Sequence, residues 1–241
     1  MLPPELPVAI LAGGLGTRLR SVVSDRPKVM ANVCGRPFLA WWLDSIARYG
    51  PRDVVLCTGY MAEMVEEIMG STHGPLRLHY SAEKEPLGTG GCLRLAWECF
   101  RPETMLVLNG DSFCAPDFGA FYQSFRESGS AARMVLREMD DTSRYGRVGL
   151  AETGMVTSFS EKTGLSCPGW INAGVYLFSR SLMEELPPGC PTSIERDHFP
   201  KWIARGTAGF RYRGPFLDIG MPESYAAAES FFLNITPHFV T

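Results

Sequence analysis

Residues 8–20 read VAILAGGLGTRLR, and this segment carries the strongest local signals of the fold. Its apolar start, Val8 to Leu11, predicts a short buried strand. The glycines that follow, Gly13, Gly14 and Gly16, predict a loop where that strand ends. Because glycine has no Cβ, the backbone N–H groups of such a loop can close around an anion such as a phosphate. The segment therefore predicts a strand that leads into an anion-binding loop.

The spacing of the glycines differs from two common phosphate-binding patterns. The loop lacks the Gly-Lys-Ser/Thr end of a P-loop, and Leu19 stands where a dinucleotide-binding fingerprint needs its third glycine. Spacing alone leaves a phosphate site and a tight strand-to-helix turn equally open. Nearby cations opposed only by Asp25 favour the phosphate site, although a solvated basic loop stays an alternative; these cations are Arg18, Arg20, Arg26 and Lys28.

Strand and helix patterns alternate along the first half of the chain. Apolar residues spaced by three or four predict a helix with Phe38, Trp42, Ile46 and Tyr49 on one face, and Gly50-Pro51 ends it. Further strands are predicted at 53–57, 77–80 and 105–108, and further helices at 61–69 and 91–99. This order predicts parallel βαβ crossovers in a layered α/β fold, whose ligands lie at the carboxyl ends of the strands.

The second half of the chain predicts a mixed sheet with inserted hairpins. Strands are predicted at 132–137, 147–150, 155–159, 175–178 and 209–212, and helices at 194–205 and 222–232. Thr192 and Glu195 form a capping-box pattern for the first of these helices, and Pro222 suits the first turn of the second. The sequence shows no repeat and no linker, so we expect residues 1–241 to form one domain.

Composition favours an ordinary globular protein of the cytoplasm. The chain has 241 residues, 45% of them hydrophobic, and a formal net charge of −3. Nucleic acid is therefore not an expected partner. The seven cysteines are scattered, which predicts reduced thiols in a cytosolic protein. We expect neither export nor a membrane span, because there is no basic leader and no apolar run of about 20 residues.

Two aspartates follow apolar segments more than a hundred positions apart. Asp111 ends the sequence LNGD, and Asp218 lies in FLDIG. Mg²⁺ typically binds one or two carboxylates together with substrate phosphates, so two such aspartates beside a phosphate loop match its needs. Taken singly, each aspartate is better explained by a turn or a helix cap. The combination predicts a metal site.

Polar residues also border buried segments in the second half of the chain. Glu161 and Lys162 follow a predicted strand, and Asn172 precedes another. Such positions often contact substrates, but on these residues alone a surface pair and a turn asparagine are the default interpretation.

In this order the motifs resemble those of the sugar-1-phosphate nucleotidyltransferases. They are LAGGLGTRL, RPK, EPLGTGG, LNGD, YGRV, EK, NAGVY and FLDIG, and they span nearly the whole chain. More narrowly, SAEKEPLGTGG, VLNGDSF, SRYGRV and FLDIGMPESY resemble the D-glycero-α-D-manno-heptose 1-phosphate guanylyltransferases. Two positions depart from the family pattern: Val29 replaces a second proline after Lys28, and Arg36 replaces a lysine.

The resemblance implies a Rossmann-like three-layer αβα fold with a mixed, mostly parallel sheet and no C-terminal β-helix. It implies a nucleotide-binding half at about residues 1–115 and a sugar-phosphate-binding half at about residues 116–241. It also implies transfer of a nucleotidyl group from a nucleoside triphosphate, expected to be GTP, to a sugar 1-phosphate, expected to be D-glycero-α-D-manno-heptose 1-phosphate, with Mg²⁺. The alternatives are mannose 1-phosphate as acceptor, a uridylyl or thymidylyl transfer, or a sensing subunit without turnover. The oligomeric state is open between monomer and homodimer.

The resemblance also assigns roles to individual residues. Arg18 is expected on the β- and γ-phosphates, Lys28 near the reacting phosphate, and Asp111 with Asp218 on Mg²⁺. The other expected nucleotide contacts are Leu11, Ala12, Gly13, Gly14, Gly16, Thr17, Pro86, Leu87, Gly88, Thr89 and Gly110. The expected sugar-phosphate contacts are Gly146, Glu161, Lys162 and Asn172.

Overall fold

Strands and helices alternate along the chain in the computed structural model, which describes residues 1–161, 164 and 166–235. The strands are β1 (Val8–Leu11), β2 (Asn32–Val33), β3 (Arg36–Pro37), β4 (Asp53–Thr58), β5 (Thr72–His73), β6 (Leu76–Ala82), β7 (Thr104–Asn109), β8 (Ser112–Cys114), β9 (Ala132–Met139), β10 (Arg147–Leu150), β11 (Val156–Ser160), β12 (Gly169–Ser179), β13 (Thr207–Tyr212) and β14 (Phe216–Asp218). The helices are α1 (Phe38–Ala47), α2 (Ala62–Met69), α3 (Gly88–Trp97), α4 (Phe118–Ser128), α5 (Arg180–Glu185), α6 (Phe199–Ala204), α7 (Pro222–Ala226) and α8 (Ala228–Ile235). A short 3-10 turn covers Lys28–Met30, and a π-helical turn covers Ile194–His198.

One large mixed sheet organises the molecule. Its order is β11-β10-β12-β7-β1-β4-β6-β5, and β9 and β13 extend it beside β12. β1 runs parallel to β4 and β7, with Leu11 opposite both Cys57 and Asn109, whereas β12 runs antiparallel to β7. The carboxyl ends of β1, β4 and β7 therefore meet at one edge of the sheet.

Helices cover both faces of this sheet. Because side chains alternate along a strand, Val8 and Ile10 of β1 point to one face and Ala9 to the other. The first face packs against aromatic residues of α1, α4 and α8, including Trp42, Phe118 and Phe232. The second packs against α3, α5 and α6. The predicted three-layer α/β architecture with a mixed sheet is confirmed.

The helix predicted at 194–205 begins at Ile194 as expected, but it is not one continuous α-helix. The chain enters a π-helical turn whose N-cap is Ser193, and the Ser193 side chain accepts a hydrogen bond from the backbone N–H of Arg196. The predicted capping box of Thr192 and Glu195 does not form, because the Glu195 carboxylate accepts hydrogen bonds from two hydroxyls instead. A separate α-helix begins at Phe199, since Pro200 has no N–H to continue the preceding hydrogen bonds.

Two other helices differ from their predictions. The helix predicted at 222–232 is interrupted at Ala227, where the chain changes from α7 to α8 without a glycine or proline. α4 was absent from the prediction although its end signals are present: Asp117 caps its N-terminus by accepting from the N–H of Ala120, and Gly129 ends it with a φ of 63°. No helix in the described part of the chain is long and apolar enough to cross a membrane.

Candidate active site

A cavity of about 470 Å³ opens at the shared edge of β1, β4 and β7. The glycine loop forms one wall and the segment that begins α3 forms the other. Its lining residues are Leu11, Ala12, Gly13, Gly14, Leu15, Gly16, Lys28, Val29, Gly59, Tyr60, Glu83, Lys84, Glu85, Pro86, Gly88, Thr89, Cys92, Asn109 and Asp111. Most of the predicted nucleotide contacts therefore lie around one cavity.

The glycine loop is a turn-rich segment rather than a strand-to-helix turn. Residues 12–27, all of them described, form turns and irregular backbone before the 3-10 turn at Lys28. Gly16 has a φ of 59°, and a Cβ built there would lie 3.1 Å from Cβ of Lys28. Glycine is thus required where the loop passes the lysine. The alternative of a tight turn between a strand and a helix is wrong.

Lys28 and Asp111 form an ion pair at the floor of this cavity. Nζ of Lys28 donates to Oδ2 of Asp111 across 2.7 Å. The lysine side chain is only 11% exposed, whereas the aspartate is 43% exposed. A nearly buried ammonium needs a partner, so the aspartate fixes the position of the lysine while it still faces the cavity.

Asp111 and Asp218, distant in sequence, meet through a pair of short strands. β8 and β14 run antiparallel with Asp218 opposite Ser112, the residue after Asp111. The backbone N–H of Ile219 also donates to the carbonyl oxygen of Asp111 across 3.0 Å. Both aspartates line a second cavity of about 250 Å³. The structure therefore brings the two predicted aspartates to the wall of the same cavity.

These two carboxylates have the chemistry that Mg²⁺ requires. In the described part of the chain no group of three or more His, Cys, Asp or Glu side chains is arranged to hold a metal. Mg²⁺ does not need one, because it keeps several water or phosphate oxygens and takes one or two protein carboxylates. The pair fits a magnesium ion that arrives with a polyphosphate.

The second cavity adjoins the first and shares Thr89, Asn109 and Asp111 with it. Its lining residues are Arg18, Thr89, Asn109, Asp111, Ser112, Tyr145, Gly146, Glu161, Asn172, Gly174, Glu195, Phe216 and Asp218. Three of the predicted sugar-phosphate contacts, Gly146, Glu161 and Asn172, are thus brought together. Lys162, the fourth, lies outside the described residues.

A bulge in β12 positions Asn172. The pairing of β12 with β9 shifts between Asn172 and Tyr176, and Gly174 has a φ of 75°. This bend lets Nδ2 of Asn172 donate to the buried Tyr176 hydroxyl at 2.7 Å, while its Oδ1 accepts from the N–H of Gly174 at 3.0 Å. A Cβ at Gly174 would lie 2.8 Å from Cβ of Asn109. The NAGVY motif thus holds the asparagine amide at the cavity wall.

Arg18 lies on the side of the second cavity, where its guanidinium approaches Sδ of Met221 at 3.9 Å. Three other predicted nucleotide contacts, Thr17, Leu87 and Gly110, do not line either cavity. Leu87 instead donates its N–H to Oε2 of Glu83 at 2.8 Å. Gly110 passes so close to β1 that a Cβ would lie 2.6 Å from the carbonyl oxygen of Leu11.

Several lining residues were not predicted from the sequence. In the larger cavity these include Tyr60, Glu83 and Cys92, and in the smaller one Tyr145 and Glu195. Burial raises the pKa of the Glu83 carboxyl. Burial, followed by the charge of Asp218, raises the pKa of the Tyr145 hydroxyl. Tyr145 precedes Gly146 in a recognised motif, so it carried a signal, whereas Tyr60 and Cys92 carried none.

Comparisons with known proteins identify relatives of this chain. The sequence profile of the nucleotidyl transferase family matches residues 8–235. The chain is 35% identical over 221 residues to the D-glycero-alpha-D-manno-heptose 1-phosphate guanylyltransferase of Aneurinibacillus thermoaerophilus, covering 91% of this chain and 95% of that one. It is 33% identical over 235 residues to mannose-1-phosphate guanyltransferase beta-B of Xenopus laevis, covering 95% of this chain and 65% of the relative.

A solved structure is also similar over nearly all of the chain. The crystal structure of HddC from Yersinia pseudotuberculosis complexed with GMP-PN superimposes with a TM-score of 0.83 at 33% identity. The match covers 95% of this chain and 100% of that chain.

Proposed function

Because the chain belongs to the nucleotidyl transferase family, we propose that it is a sugar-1-phosphate guanylyltransferase that joins GTP and a sugar 1-phosphate to give a GDP-sugar and pyrophosphate. The observation that supports this reaction best is the junction of the two cavities. They share Thr89, Asn109 and Asp111, so ligands in the two cavities would meet beside Asp111.

We assign GTP to the larger cavity and the sugar phosphate to the smaller one. The glycine loop offers backbone N–H groups for the triphosphate, and the segment from Pro86 to Thr89 lies across the cavity where the base would sit. Relatives that are named as guanylyltransferases, and a related structure complexed with GMP-PN, support guanine as the base. In this assignment residues 1–241 form one domain, with the nucleotide half at about 1–115.

The reaction needs two anions to approach each other. An oxygen of the sugar's anomeric phosphate attacks the α-phosphorus of GTP in line with the bond to the β-phosphate oxygen. A new bond forms between the sugar phosphate oxygen and the α-phosphorus. The bond from the α-phosphorus to the β-phosphate oxygen breaks, and pyrophosphate leaves with that electron pair. The attacking oxygen is already ionised, so no general base is required.

Positive charge at the junction then lowers the barrier. Lys28, fixed by Asp111, lies where the reacting phosphate would pass, and Arg18 lies at the sugar-phosphate side. Preorganised cations of this kind stabilise the charge of a phosphoryl transition state, and loss of one such contact typically costs about 100- to 1,000-fold in turnover. We therefore expect Lys28→Ala to lower turnover by that factor.

Nucleotidyltransferases of this family generally use Mg²⁺. Asp111 and Asp218 would hold the ion in this chain, given their shared cavity and the match of two carboxylates to its needs. When bound, the metal supplies positive charge that offsets the developing negative charge of the phosphates.

The sugar is proposed to be D-glycero-α-D-manno-heptose 1-phosphate. The heptose-specific relative supports this choice, because the match covers 95% of its length. Mannose 1-phosphate is the second candidate, and it is supported by the relative from Xenopus laevis, of which the chain covers 65%. The two sugars share the manno configuration around the ring, so both present similar hydroxyls to the smaller cavity.

We also place the enzyme in the cytoplasm. The seven cysteines are free thiols in the structure, and none of them forms a disulfide among the described residues. Free thiols are typical of a reducing compartment.

A substrate panel tests the proposal. The purified protein is mixed with each of four nucleoside triphosphates and with heptose, mannose, glucose or N-acetylglucosamine 1-phosphate in the presence of Mg²⁺, and pyrophosphate release is measured. We expect the highest kcat/KM with GTP and the heptose phosphate, followed by GTP and mannose 1-phosphate. Binding of GTP without pyrophosphate release from any pair, or a preference for UTP or dTTP, would contradict the proposal.

A further inference from the structure

The glycines of the segment Pro86 to Gly91 are required by a neighbouring piece of backbone. A Cβ at Gly88 would lie 2.6 Å from the carbonyl oxygen of Thr192, and one at Gly91 would lie 2.7 Å from that of Cys190. Two backbone hydrogen bonds fasten the contact: Gly90 N–H donates to the Thr192 carbonyl at 2.8 Å, and Thr192 N–H donates to the Leu87 carbonyl at 2.9 Å. The wall of the larger cavity is therefore bound to residues 190–194.

The side chain of Thr89 extends this contact to Glu195. Its hydroxyl donates to Oε2 of Glu195 across 2.7 Å and accepts from the N–H of Ile194 across 2.9 Å. A hydroxyl has a single proton to donate, so that proton is directed to the carboxylate. Ser193 Oγ donates to the same oxygen at 2.9 Å. Two donors thus fix one oxygen of Glu195.

Glu195 is also a wall residue of the smaller cavity. Glu195 lines that cavity together with Glu161 and Asn172. Its Oε1 makes no hydrogen bond with any residue that the structure describes. An ionised carboxylate is an acceptor with several lone-pair sites, so Oε1 can accept from a ligand.

The charges around the cavity indicate which part of a sugar phosphate would approach Glu195. The phosphate is expected near Arg18 and near the junction at Asp111, because cations and a metal would neutralise it there. A carboxylate would repel the phosphate, whereas it forms charge-assisted hydrogen bonds with neutral hydroxyls. The ring hydroxyls of the sugar are therefore the suitable donors.

We propose that Glu195 is a specificity-determining residue that accepts a hydrogen bond from a sugar hydroxyl, and that Thr89 is the positioning residue that orients it. This inference rests on the proposed function. Its consequence is a physical link between the two substrates, because Thr89 lies in the wall of the nucleotide cavity and holds a group that contacts the sugar. Disturbing Thr89 then weakens binding of the sugar phosphate.

Steady-state kinetics of variants tests the link. Glu195→Gln keeps the shape of the side chain and removes its charge, and we expect it to raise KM for the sugar 1-phosphate about 10-fold or more, as loss of a hydrogen bond to a charged group does. KM for GTP should stay within about twofold, because the contact is made only by the sugar. Thr89→Val should also raise KM for the sugar phosphate, whereas Thr89→Ser, which keeps the hydroxyl, should raise it less.

Sugar 1-phosphates that each lack one ring hydroxyl identify the contact. The analogue that lacks the hydroxyl that donates to Glu195 should have a higher KM than the intact sugar phosphate with wild-type protein. Its KM should not rise further in Glu195→Gln, because the contact is already missing. Glu152→Gln, a change at an exposed glutamate, is the control for a general loss of charge. The thermal unfolding midpoint of each variant checks that it is folded.

The outcomes separate this inference from the proposed function. Wild-type protein that releases no pyrophosphate from any substrate pair contradicts the proposed function. Active wild-type protein together with a Glu195→Gln variant of unchanged KM for the sugar phosphate overturns only the assignment of Glu195. Equal losses with every deoxy analogue overturn it as well, and a Thr89→Ser effect as large as that of Thr89→Val overturns the role of the Thr89 hydroxyl.

Discussion

The substitution Gly88→Ala tests whether the wall of the larger cavity is held by the backbone of residues 190–194. Gly88 has a φ of 69°, where a side chain costs about 1–2 kcal/mol. The added methyl would also lie 2.6 Å from the carbonyl oxygen of Thr192. That oxygen is fixed by a hydrogen bond from Gly90, so overpacking should cost a further 1–3 kcal/mol, roughly. We expect a total loss of about 2–5 kcal/mol in the free energy of unfolding.

A matched substitution separates the two contributions. Gly129 has a φ of 63° at the end of α4, and an added Cβ there would meet nothing within 4 Å. Gly129→Ala should therefore lower the free energy of unfolding only through the backbone strain. Replacing glycine by alanine also reduces the conformational entropy of the unfolded chain, but this effect is equal in the two variants. Urea unfolding followed by tryptophan fluorescence should give a loss about 1–3 kcal/mol larger for Gly88→Ala. Equal losses would refute the proposed packing against Thr192.

Three more predictions concern the cavities and their support. Tyr176→Phe leaves the Asn172 amide without its buried partner, so the free energy of unfolding should fall by about 1–3 kcal/mol and KM for the sugar phosphate should rise. Unchanged values of both would contradict the role given to the bulge. Mg²⁺ and GTP should slow the alkylation of Cys92, which lines the larger cavity, but not that of exposed Cys99. Both rates are measured by mass spectrometry of the peptides, and equal slowing of the two cysteines, or none, would contradict the assignment of GTP to that cavity. Burial, then the charge of a nearby lysine, lowers the pKa of His198 from its ordinary value of 6.5. The unfolded chain therefore binds that proton more readily than the folded protein, so stability should fall as pH drops below about 6.5. A His198→Gln variant whose urea midpoint has the same pH dependence as that of wild-type protein would contradict this.

The parts of the fold that could be predicted from the sequence are those with local signals. β1, β4 and β7 are short apolar segments bounded by glycine or polar residues, so their hydrophobic patterns identify them. Parallel strands place their carboxyl ends together, which brought the glycine loop and Asp111 to one edge. Asp218 followed from the same reasoning, although its actual route is the antiparallel pairing of β14 with β8.

The parts that could not be predicted depend on contacts between distant segments. The pattern Thr-x-x-Glu at residues 192–195 is the same whether the glutamate caps its own helix or reaches across to another loop. Its partner Thr89 is 106 positions away, and only the close packing of the glycine backbone brings the two together. The bulge at Asn172 likewise depends on how β12 pairs with two neighbours.

The local path of the backbone, which decides what a residue contacts, also could not be predicted from sequence patterns. Gly110 was predicted to contact the nucleotide, but its lack of a Cβ serves the approach to β1. Arg18 follows the glycine loop in sequence, yet it lines the smaller cavity, because the irregular backbone of residues 12–27 carries it past the larger one.

We propose that Asp111 and Asp218 hold one Mg²⁺ ion in the smaller cavity, beside its junction with the larger one. The most direct test is the Mg²⁺-dependent release of pyrophosphate from GTP and the preferred sugar 1-phosphate by wild-type protein, Asp111→Asn and Asp218→Asn, at matched thermal stability. We expect each variant to lose at least about 100-fold in kcat/KM. The double variant should be little worse than either single one, because both residues would serve the same ion. Near-normal turnover by either variant would contradict it.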